Sequence, residues 1–282
     1  MPRMLVCTST ACLDYLNKPY NVRILRMHVG FGNQQYWDGD NINPAMMANL
    51  MQNNPQIMPT SAPPSEEELI DFFYDLIKEG IDEVLVLCLS SKLSLTYQRV
   101  ENLKDFFSSR LKIHVFDTRT TAYGEAVLGL AAAKMLQNNQ PISAIIQHLN
   151  TLREGQITMF ALDDLRNLVR TKRISAPAGF IGNLFDIKPI LQTNNLGEII
   201  PFAKVRSIEK ALETMCQHVH EQYLLRPNAS IFLLSPTQTD NPHLYYMQDY
   251  FAQRGIDDLP VMPISTVSIA IVGYRGVGIG II

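Results

Sequence analysis

A hydroxyl-rich turn directly follows a short apolar run in the first third of the chain. Residues 83–89 (EVLVLCL) have the length and branching of a buried strand, and residues 90–97 (SSKLSLTY) come immediately after them. Comparable turns occur at residues 8–10, 60–61 and 118–121. Ligands of open α/β sheets bind at the carboxyl edge of the strands, where hydroxyls and free helix-start amides can hold a carboxylate or phosphate. Four hydroxyl turns on one such edge predict a site for a small anionic head group.

These hydroxyls also have other interpretations. A Ser or Thr after a strand is most often a helix cap, although a cluster of such turns is less ordinary. Leu95 lies between hydroxyls, so the site would have an apolar wall that suits an amphiphile with a polar head. A hydrolase or transferase acting on an acyl or phosphate ester is an alternative, with Ser94 or Ser61 as nucleophile and Asp117 as base. The chain contains neither a G-x-S-x-G elbow nor a P-loop, so no catalytic set accompanies the hydroxyls.

Metal and nucleotide sites are not indicated. His218 and His220 lie two residues apart on a predicted helix, so their side chains diverge, and the other histidines are scattered. The motif G-x-G-x-G at residues 276–280 is followed only by residues 281–282, which leave no helix to bind a phosphate. This motif predicts a close backbone approach instead. We expect neither a metal nor a cofactor.

Strands and helices alternate along the chain, which predicts βαβ units and an α/β fold. The first half is expected to form a mostly parallel, Rossmann-like sheet. Residues 22–32 read as one strand, residues 60–64 as an extended linker, and residues 65–68 as a capping box before an amphipathic helix that ends at Gly80.

The pattern changes near residue 155, which predicts two α/β domains, 1–155 and 156–282. In the second domain we predict a helix over residues 177–184 and a hairpin around residues 194–197. The apolar, Gly-rich tail, residues 268–282, is expected to return to the first domain.

Composition excludes several classes of protein. The chain has 282 residues, with 46% hydrophobic and 18% charged residues, which is an ordinary globular balance. The net charge of −3 creates no global attraction for nucleic acid. Apolar stretches are too short to span a bilayer, and residues 1–3 lead into a predicted strand without a signal-peptide core. The four cysteines form no C-x-x-C pair, so we expect reduced thiols in a cytoplasmic protein.

Motifs spread along the chain resemble those of the DegV family of bacterial fatty-acid-binding proteins. Residues 90–98 (SSKLSLTYQ) resemble its SSKLSGTYQ signature, and residues 60–65 (TSAPPS) resemble its TSQPSP segment. Residues 116–124 look like its VDSxxxSxG turn, and residues 165–191 resemble its block that ends in IKPIL. These matches occur in the family's order and extend over nearly the whole chain.

The resemblance implies two α/β domains with an acyl chain buried between them, and no catalytic activity of the protein's own. Thr60, Ser61 and Ser94 match family positions that hold the fatty-acid carboxylate, and Ser91 lies in the same signature. In some members the protein presents the acid to a separate fatty acid kinase, which phosphorylates the carboxylate.

Two basic residues match positions at that kinase-docking surface, Arg173 and Arg206. They belong to a group of basic residues between positions 170 and 210 whose other interpretation is a solvated face.

The chain also departs from the family pattern. Thr8 replaces an Asp of the opening T-D-S-T, and Leu95 replaces a Gly. Near the tail, where the family has H-x-G-P-G, this chain has Tyr274-Arg275-Gly276. The Tyr274 hydroxyl could replace the imidazole as a donor, and Arg275 could pair with the carboxylate directly. Because of these departures, another interpretation stays open: the protein has diverged from the family and binds another amphiphile or serves only as an interaction module.

Overall fold

The computed structural model describes residues 2–16, 20–162, 165–177, 187–226, 228–236 and 241–282. Its strands, in chain order, are β1 (Arg3–Thr8), β2 (Val22–Leu25), β3 (His28–Phe31), β4 (Gln34–Trp37), β5 (Thr60–Ala62), β6 (Glu83–Cys88), β7 (Lys112–Asp117), β8 (Ile157–Ala161), β9 (Lys188–Thr193), β10 (Ile199–Val205), β11 (Ile231–Ser235), β12 (Val261–Pro263) and β13 (Val277–Ile281). Its helices are α1 (Pro44–Asn53), α2 (Glu66–Lys78), α3 (Thr96–Phe107), α4 (Ala122–Gln137), α5 (Ile142–Glu154), α6 (Arg166–Arg170), α7 (Ile208–Leu224), α8 (Pro242–Ala252) and α9 (Thr266–Val272).

The first sheet has the strand order β2-β1-β6-β7, and all its neighbours are parallel. Its strands are rich in buried aliphatic residues because helices cover both faces. Leu69, Phe73 and Phe107, from α2 and α3, are buried on one face, and Ala126 and Leu149, from α4 and α5, are buried on the other. The α/β fold predicted from the sequence is therefore confirmed.

Local signals determine where α2 begins and ends. The Ser65 Oγ accepts a hydrogen bond from Glu68 N (3.1 Å), and Ser65 N donates to Glu68 Oε2 (2.7 Å), which confirms the predicted capping box. Beyond the helix Gly80 has a φ of +80°, a conformation that glycine adopts without a steric penalty.

A small antiparallel sheet, β4-β3-β5, corrects two expectations from the sequence. Residues 22–32 do not form one strand, because the chain leaves the first sheet after Leu25 and pairs again as β3. The break is held by Arg26, which donates to Asp38 O (2.8 Å) and pairs with Asp14 (2.5 Å). The segment expected to be an extended linker begins with β5, which pairs with β3.

The second sheet is mixed and has six strands in the order β10-β9-β8-β13-β11-β12. Strands β9 and β10 form the predicted hairpin, in which Gly197 has a φ of +82°. Helices α7 and α8 cover one face through buried residues that include Met215, Val219 and Phe251. The helix predicted over residues 177–184 lies outside the described residues, apart from Pro177.

The tail connects both parts of the molecule. Helix α9 packs against α1 and against the small sheet through β3 and β5. Strand β13, however, lies in the middle of the second sheet, where it pairs antiparallel with β8 and β11. The tail as a whole therefore does not return to the first domain as the sequence predicted, because pairing on both sides satisfies the backbone of β13 within the second sheet. The domain boundary near residue 155 stays a prediction.

Candidate ligand-binding cavity

An apolar cavity lies between the carboxyl edge of the first sheet and the second sheet. The empty space between its walls, including the solvent at the open mouth, is about 880 Å³. Both parts of the chain contribute aliphatic and aromatic lining: Met27, Leu89, Leu93, Phe160, Leu162 and Leu234. Such a cavity suits an apolar ligand.

The second sheet forms the cavity wall by strand alternation. Thr158, Phe160 and Leu162 line the cavity, whereas Met159 and Ala161 face the core under α7. The adjoining strand β13 contributes glycines to the same side.

These glycines explain the G-x-G-x-G motif. A Cβ on Gly278 would lie 3.0 Å from Met159 O and 3.2 Å from Leu234 Cβ, and a Cβ on Gly280 would overlap the Phe232 ring. The motif therefore provides the close backbone approach predicted from the sequence, and it keeps the space beside β13 free of side chains.

Ser94 is the predicted head-group residue that lines the cavity. Its Oγ lies 2.9 Å from Thr96 Oγ1 and accepts from Thr96 N (3.3 Å) at the start of α3. The Thr96 hydroxyl in turn donates to Met27 Sδ (3.3 Å). Ser94 is thus partly engaged in a local turn before α3, and its hydroxyl borders an apolar space.

Arg173 lies in the cavity wall close to the same turn. Its Nε donates to Leu93 O (3.0 Å), one residue before Ser94, and its side chain is half-buried. Burial and, to a smaller extent, the nearby Arg170 lower the pKa of Arg173, yet a guanidinium stays charged at any ordinary pH. It is the one charged residue in the described lining of the cavity. The sequence motif around Arg173 gave no signal for this location.

Thr10 and Thr121, from two of the other predicted hydroxyl turns, also line the cavity, whereas Thr60, Ser61 and Ser91 do not. Thr60 and Ser61 lie on β5, opposite Gly30 and Val29 of β3. Ser91 is engaged elsewhere, because its hydroxyl donates to Asp117 Oδ2 (2.5 Å) and its amide to Asp117 Oδ1 (3.1 Å).

The Asp117 contacts also bear on the hydrolase alternative. Asp117 Oδ1 accepts from Arg119 N (2.9 Å) in addition to the bonds from Ser91. Within the described part of the chain no hydrogen bond joins Asp117 to Ser94. In the described structure, Asp117 is therefore not positioned as a base for Ser94.

Tyr274 and Arg275 line a second, more polar opening beside the cavity. The two spaces share Ile271, Val272 and Gly276 as wall residues. The Arg275 guanidinium lies 5.3 Å from the centre of the Tyr274 ring and is exposed. These two residues thus stand next to the cavity but are not part of its lining.

Arg206 is exposed and distant from Arg173. Residue Ile174 bridges to Ile199 at the start of β10, whereas Arg206 follows its last residue. The length of β10 separates the two, about 20 Å at the usual rise of a strand. The structure therefore does not bring the two predicted docking arginines together.

A buried carboxyl group, missed in the sequence, lies beneath the cavity. Glu125 of α4 is fully buried and accepts hydrogen bonds from Thr8 Oγ1 and from Thr10 Oγ1 (2.7 Å). Burial raises the pKa of Glu125 to about 8. Thr10 lines the cavity, so this cluster is part of its floor. Glu125 therefore supplies a carboxyl group beside Thr8 from another element.

Among the described residues no group of His, Cys, Asp and Glu side chains has the arrangement needed to hold a metal ion. None of the described helices combines the length and apolarity needed to cross a bilayer. All four cysteines are free and buried.

Comparison with known proteins agrees with the motifs. A family model described as "Uncharacterised protein, DegV family" matches residues 4–282. A DegV domain-containing protein of Listeria monocytogenes is 29% identical over 209 residues, covering 74% of this chain and 73% of the relative. A Staphylococcus aureus protein of the same description is 30% identical over 209 residues, covering 74% of this chain and 71% of the relative.

Solved structures share the fold. A fatty acid binding DegV family protein from Streptococcus agalactiae superposes with a TM-score of 0.86 at 24% identity, covering 100% of this chain and 98% of that one. DegV of Bacillus subtilis, a fatty acid binding protein, gives a TM-score of 0.87 at 22% identity, covering 100% and 99%. A DegV family protein from Eubacterium eligens, loaded with heptadecanoic acid, gives 0.79 at 15% identity, covering 99% and 98%. The resemblance seen in the sequence is confirmed, and the chain belongs to the DegV family.

Proposed function

We propose that the protein binds one long-chain fatty acid, with the alkyl chain in the apolar cavity and the carboxylate at the Ser94 end. The observation that carries this proposal is an apolar space whose single described charged lining residue, Arg173, lies next to a hydroxyl turn. Each buried CH₂ contributes about 0.8 kcal/mol, so a long alkyl chain could bind tightly. Solved DegV proteins described as fatty acid binders support the same ligand class.

The carboxylate is best matched by a hydroxyl and a guanidinium together. Ser94 can turn its hydroxyl proton from Thr96 Oγ1 towards a carboxylate while its Oγ still accepts from Thr96 N. Arg173 has its Nε committed to Leu93 O, which fixes the plane of the guanidinium beside this turn. A charge-assisted bond to a carboxylate is about twice as strong as a neutral one. Thr60, Ser61, Ser91, Tyr274 and Arg275 stay predictions for the same head group, and of these Tyr274 and Arg275 line the adjoining opening.

Calorimetric titration of delipidated protein with stearic acid tests the head-group site. We expect Ser94→Ala and Arg173→Met each to weaken binding by about 1–3 kcal/mol, since each removes a hydrogen bond to a charged group. Arg206→Met is the matched control, because Arg206 is exposed and distant from the cavity. Equal affinities in the Arg173 and Arg206 variants would contradict the assignment. Denaturing mass spectrometry of the purified protein would identify a co-purified acid or a different amphiphile.

We also propose that the protein has no catalytic role and presents its acid to a separate fatty acid kinase in the cytoplasm. The exposed Arg206 remains the predicted docking residue, and Arg173 would contribute from the cavity wall. Arg206→Met is then expected to reduce phosphorylation of the bound acid by such a kinase while the affinity for the acid stays unchanged. A phosphorylation rate equal to that of the wild type would remove Arg206 from the docking surface.

A further inference from the structure

Among the described residues, the apolar wall of the cavity contains one fully buried hydroxyl without a hydrogen-bond partner. In the described residues, three buried side-chain atoms lack a hydrogen-bond partner, and only Thr158 Oγ1 belongs to a residue that lines the cavity. Thr158 is only 4% exposed. A buried polar atom with no partner in a native fold calls for an explanation such as a missing ligand or water.

The position of Thr158 in β8 directs its side chain towards the ligand. It alternates with Met159, which faces the opposite core, and it shares the cavity face with Phe160 and Leu162. Its neighbour across β13 is Gly280, which has no side chain to pair with the hydroxyl. Intramolecular partners are therefore lacking on that side of the strand.

Thr158 also lies away from the opening that contains Tyr274 and Arg275. Gly276 lines both the cavity and that opening. It lies close to Leu162, since a Cβ on Gly276 would be 2.8 Å from Leu162 Cδ2. Leu162 directly follows β8, so the Leu162 end of this strand is the end near the opening. Thr158 is four residues further along, about 13 Å at the usual rise of a strand. A group that reaches Thr158 would thus lie away from the region beside that opening.

A second hydroxyl stands next to Thr158. Thr193, on the neighbouring strand β9, also lines the cavity, and its Oγ1 makes only a long bond to Thr158 O (3.5 Å). An alkyl chain offers neither hydroxyl a partner. An oxygen atom on the chain would pair with Thr158 and leave no unpaired polar group in the wall.

We propose that the cavity selects long-chain acids that carry a hydroxyl group on the chain, and that Thr158 is the residue that recognises it. This inference rests on the proposed fatty-acid binding and names its ligand class. Discrimination follows from the unpaired group, because a plain acid leaves Thr158 without a partner whereas a hydroxylated acid does not.

Calorimetric titration with stearic acid and with hydroxystearic acids tests this proposal. Three isomers of hydroxystearic acid are used, with the hydroxyl group beside the carboxylate, at mid-chain, or at the terminal carbon. We expect at least one of the latter two isomers to bind about tenfold more tightly than stearic acid, the factor that corresponds to about 1.4 kcal/mol. Thr158→Val should remove this preference, and Thr158→Ser should keep it.

Three results would overturn the assignment. The first is that the wild type binds stearic acid but prefers no hydroxylated isomer. The second is that the preference for a hydroxylated isomer survives in Thr158→Val. Loss of the preference in Thr193→Val alone would assign recognition to the neighbouring strand. If no acid binds at all, the proposed function itself fails. Calorimetry distinguishes this result from the first three, because stearic acid would then give no heat of binding.

Discussion

Glu125 is a carboxyl group buried without a cationic partner among the described residues. Its two oxygens accept from Thr8 and Thr10, but these bonds do not offset the cost of burying a charge, so its pKa is raised from 4.5 to about 8. The nearby Asp38, itself buried, raises the pKa further. The neutral acid is therefore the form that the fold accommodates at neutral pH.

Glu125 should make the protein less stable as pH rises. The unfolded chain loses this proton near pH 4.5 and the folded protein near pH 8, so the folded state binds more protons between these values. The contribution of Glu125 to the free energy of unfolding should therefore be largest below about pH 4.5 and should decrease up to about pH 8. The total decrease is about 1.4 kcal/mol for each unit by which the folded and unfolded pKa values differ.

Urea unfolding of the wild type and of Glu125→Gln across this pH range measures the effect. Glutamine keeps the shape and has no proton to lose, so its curve should be flatter and should lie above that of the wild type near pH 8. The exposed Glu67→Gln serves as the control. Parallel curves for the wild type and Glu125→Gln would show that Glu125 is ionised in the fold.

At the scale of single residues, the sequence predicted which residue types form the candidate site better than it predicted which side chains face the cavity. The hydroxyl turn at residues 90–97 was predicted correctly as a strand-to-helix junction. Which hydroxyl faces the cavity depends on a partner from another strand, since Asp117 engages Ser91 and leaves Ser94 at the wall. The location of Arg173 likewise depends on a long-range bond to Leu93 O. Such contacts leave no local pattern.

At the scale of elements, regular helices were the most predictable part. The sequence predicts a capping box at residues 65–68 and an amphipathic helix that ends at Gly80, and α2 covers Glu66–Lys78. The strand break after Leu25 was not predicted, because apolar residues continue across it and the break is held by the distant Asp38. Helix α9 lies in an apolar tail without the periodic pattern that identifies a surface helix.

Strand β13 carries a test of how glycine shapes the cavity wall. A Cβ on Gly280 would overlap Phe232, which is 1% exposed and packs against the Tyr123 ring at 4.9 Å. We expect Gly280→Ala to lower the free energy of unfolding by about 1–3 kcal/mol through overpacking, as measured in urea. The double variant with Phe232→Leu should recover part of this loss, since the smaller side chain makes room.

Gly155→Ala is the control for this change. A Cβ there meets only Arg226 at 3.9 Å, and the φ of Gly155 is −91°, which alanine adopts readily. If Gly280→Ala is no more destabilising than Gly155→Ala, the close approach of β13 to Phe232 does not constrain the wall.

At the scale of the whole molecule, polar contacts join the two parts around an apolar interior. Ser90 Oγ donates to Gly197 O (2.7 Å), Thr266 N donates to Asp38 Oδ1 (2.9 Å), and Arg170 donates to Pro59 O (2.7 Å). These bonds lie at the edges of a cavity whose walls come from both parts of the chain. An acyl chain would add the apolar contacts that the interior lacks, so binding should couple the stability of both parts.

Ligand binding should therefore stabilise the protein and protect both walls together. Stearic acid at 100 times its dissociation constant should raise the free energy of unfolding by about 2.7 kcal/mol, because only the folded state has the cavity. Amide hydrogen exchange should slow around Ser94 and along β8 and α9, since these segments line the cavity from both sides. A short-chain acid at the same concentration is the control, because it carries the same carboxylate and buries little apolar area. Protection confined to one wall, or equal protection by the short acid, would mean that the acid binds at a surface and that the space between the two sheets is not its site.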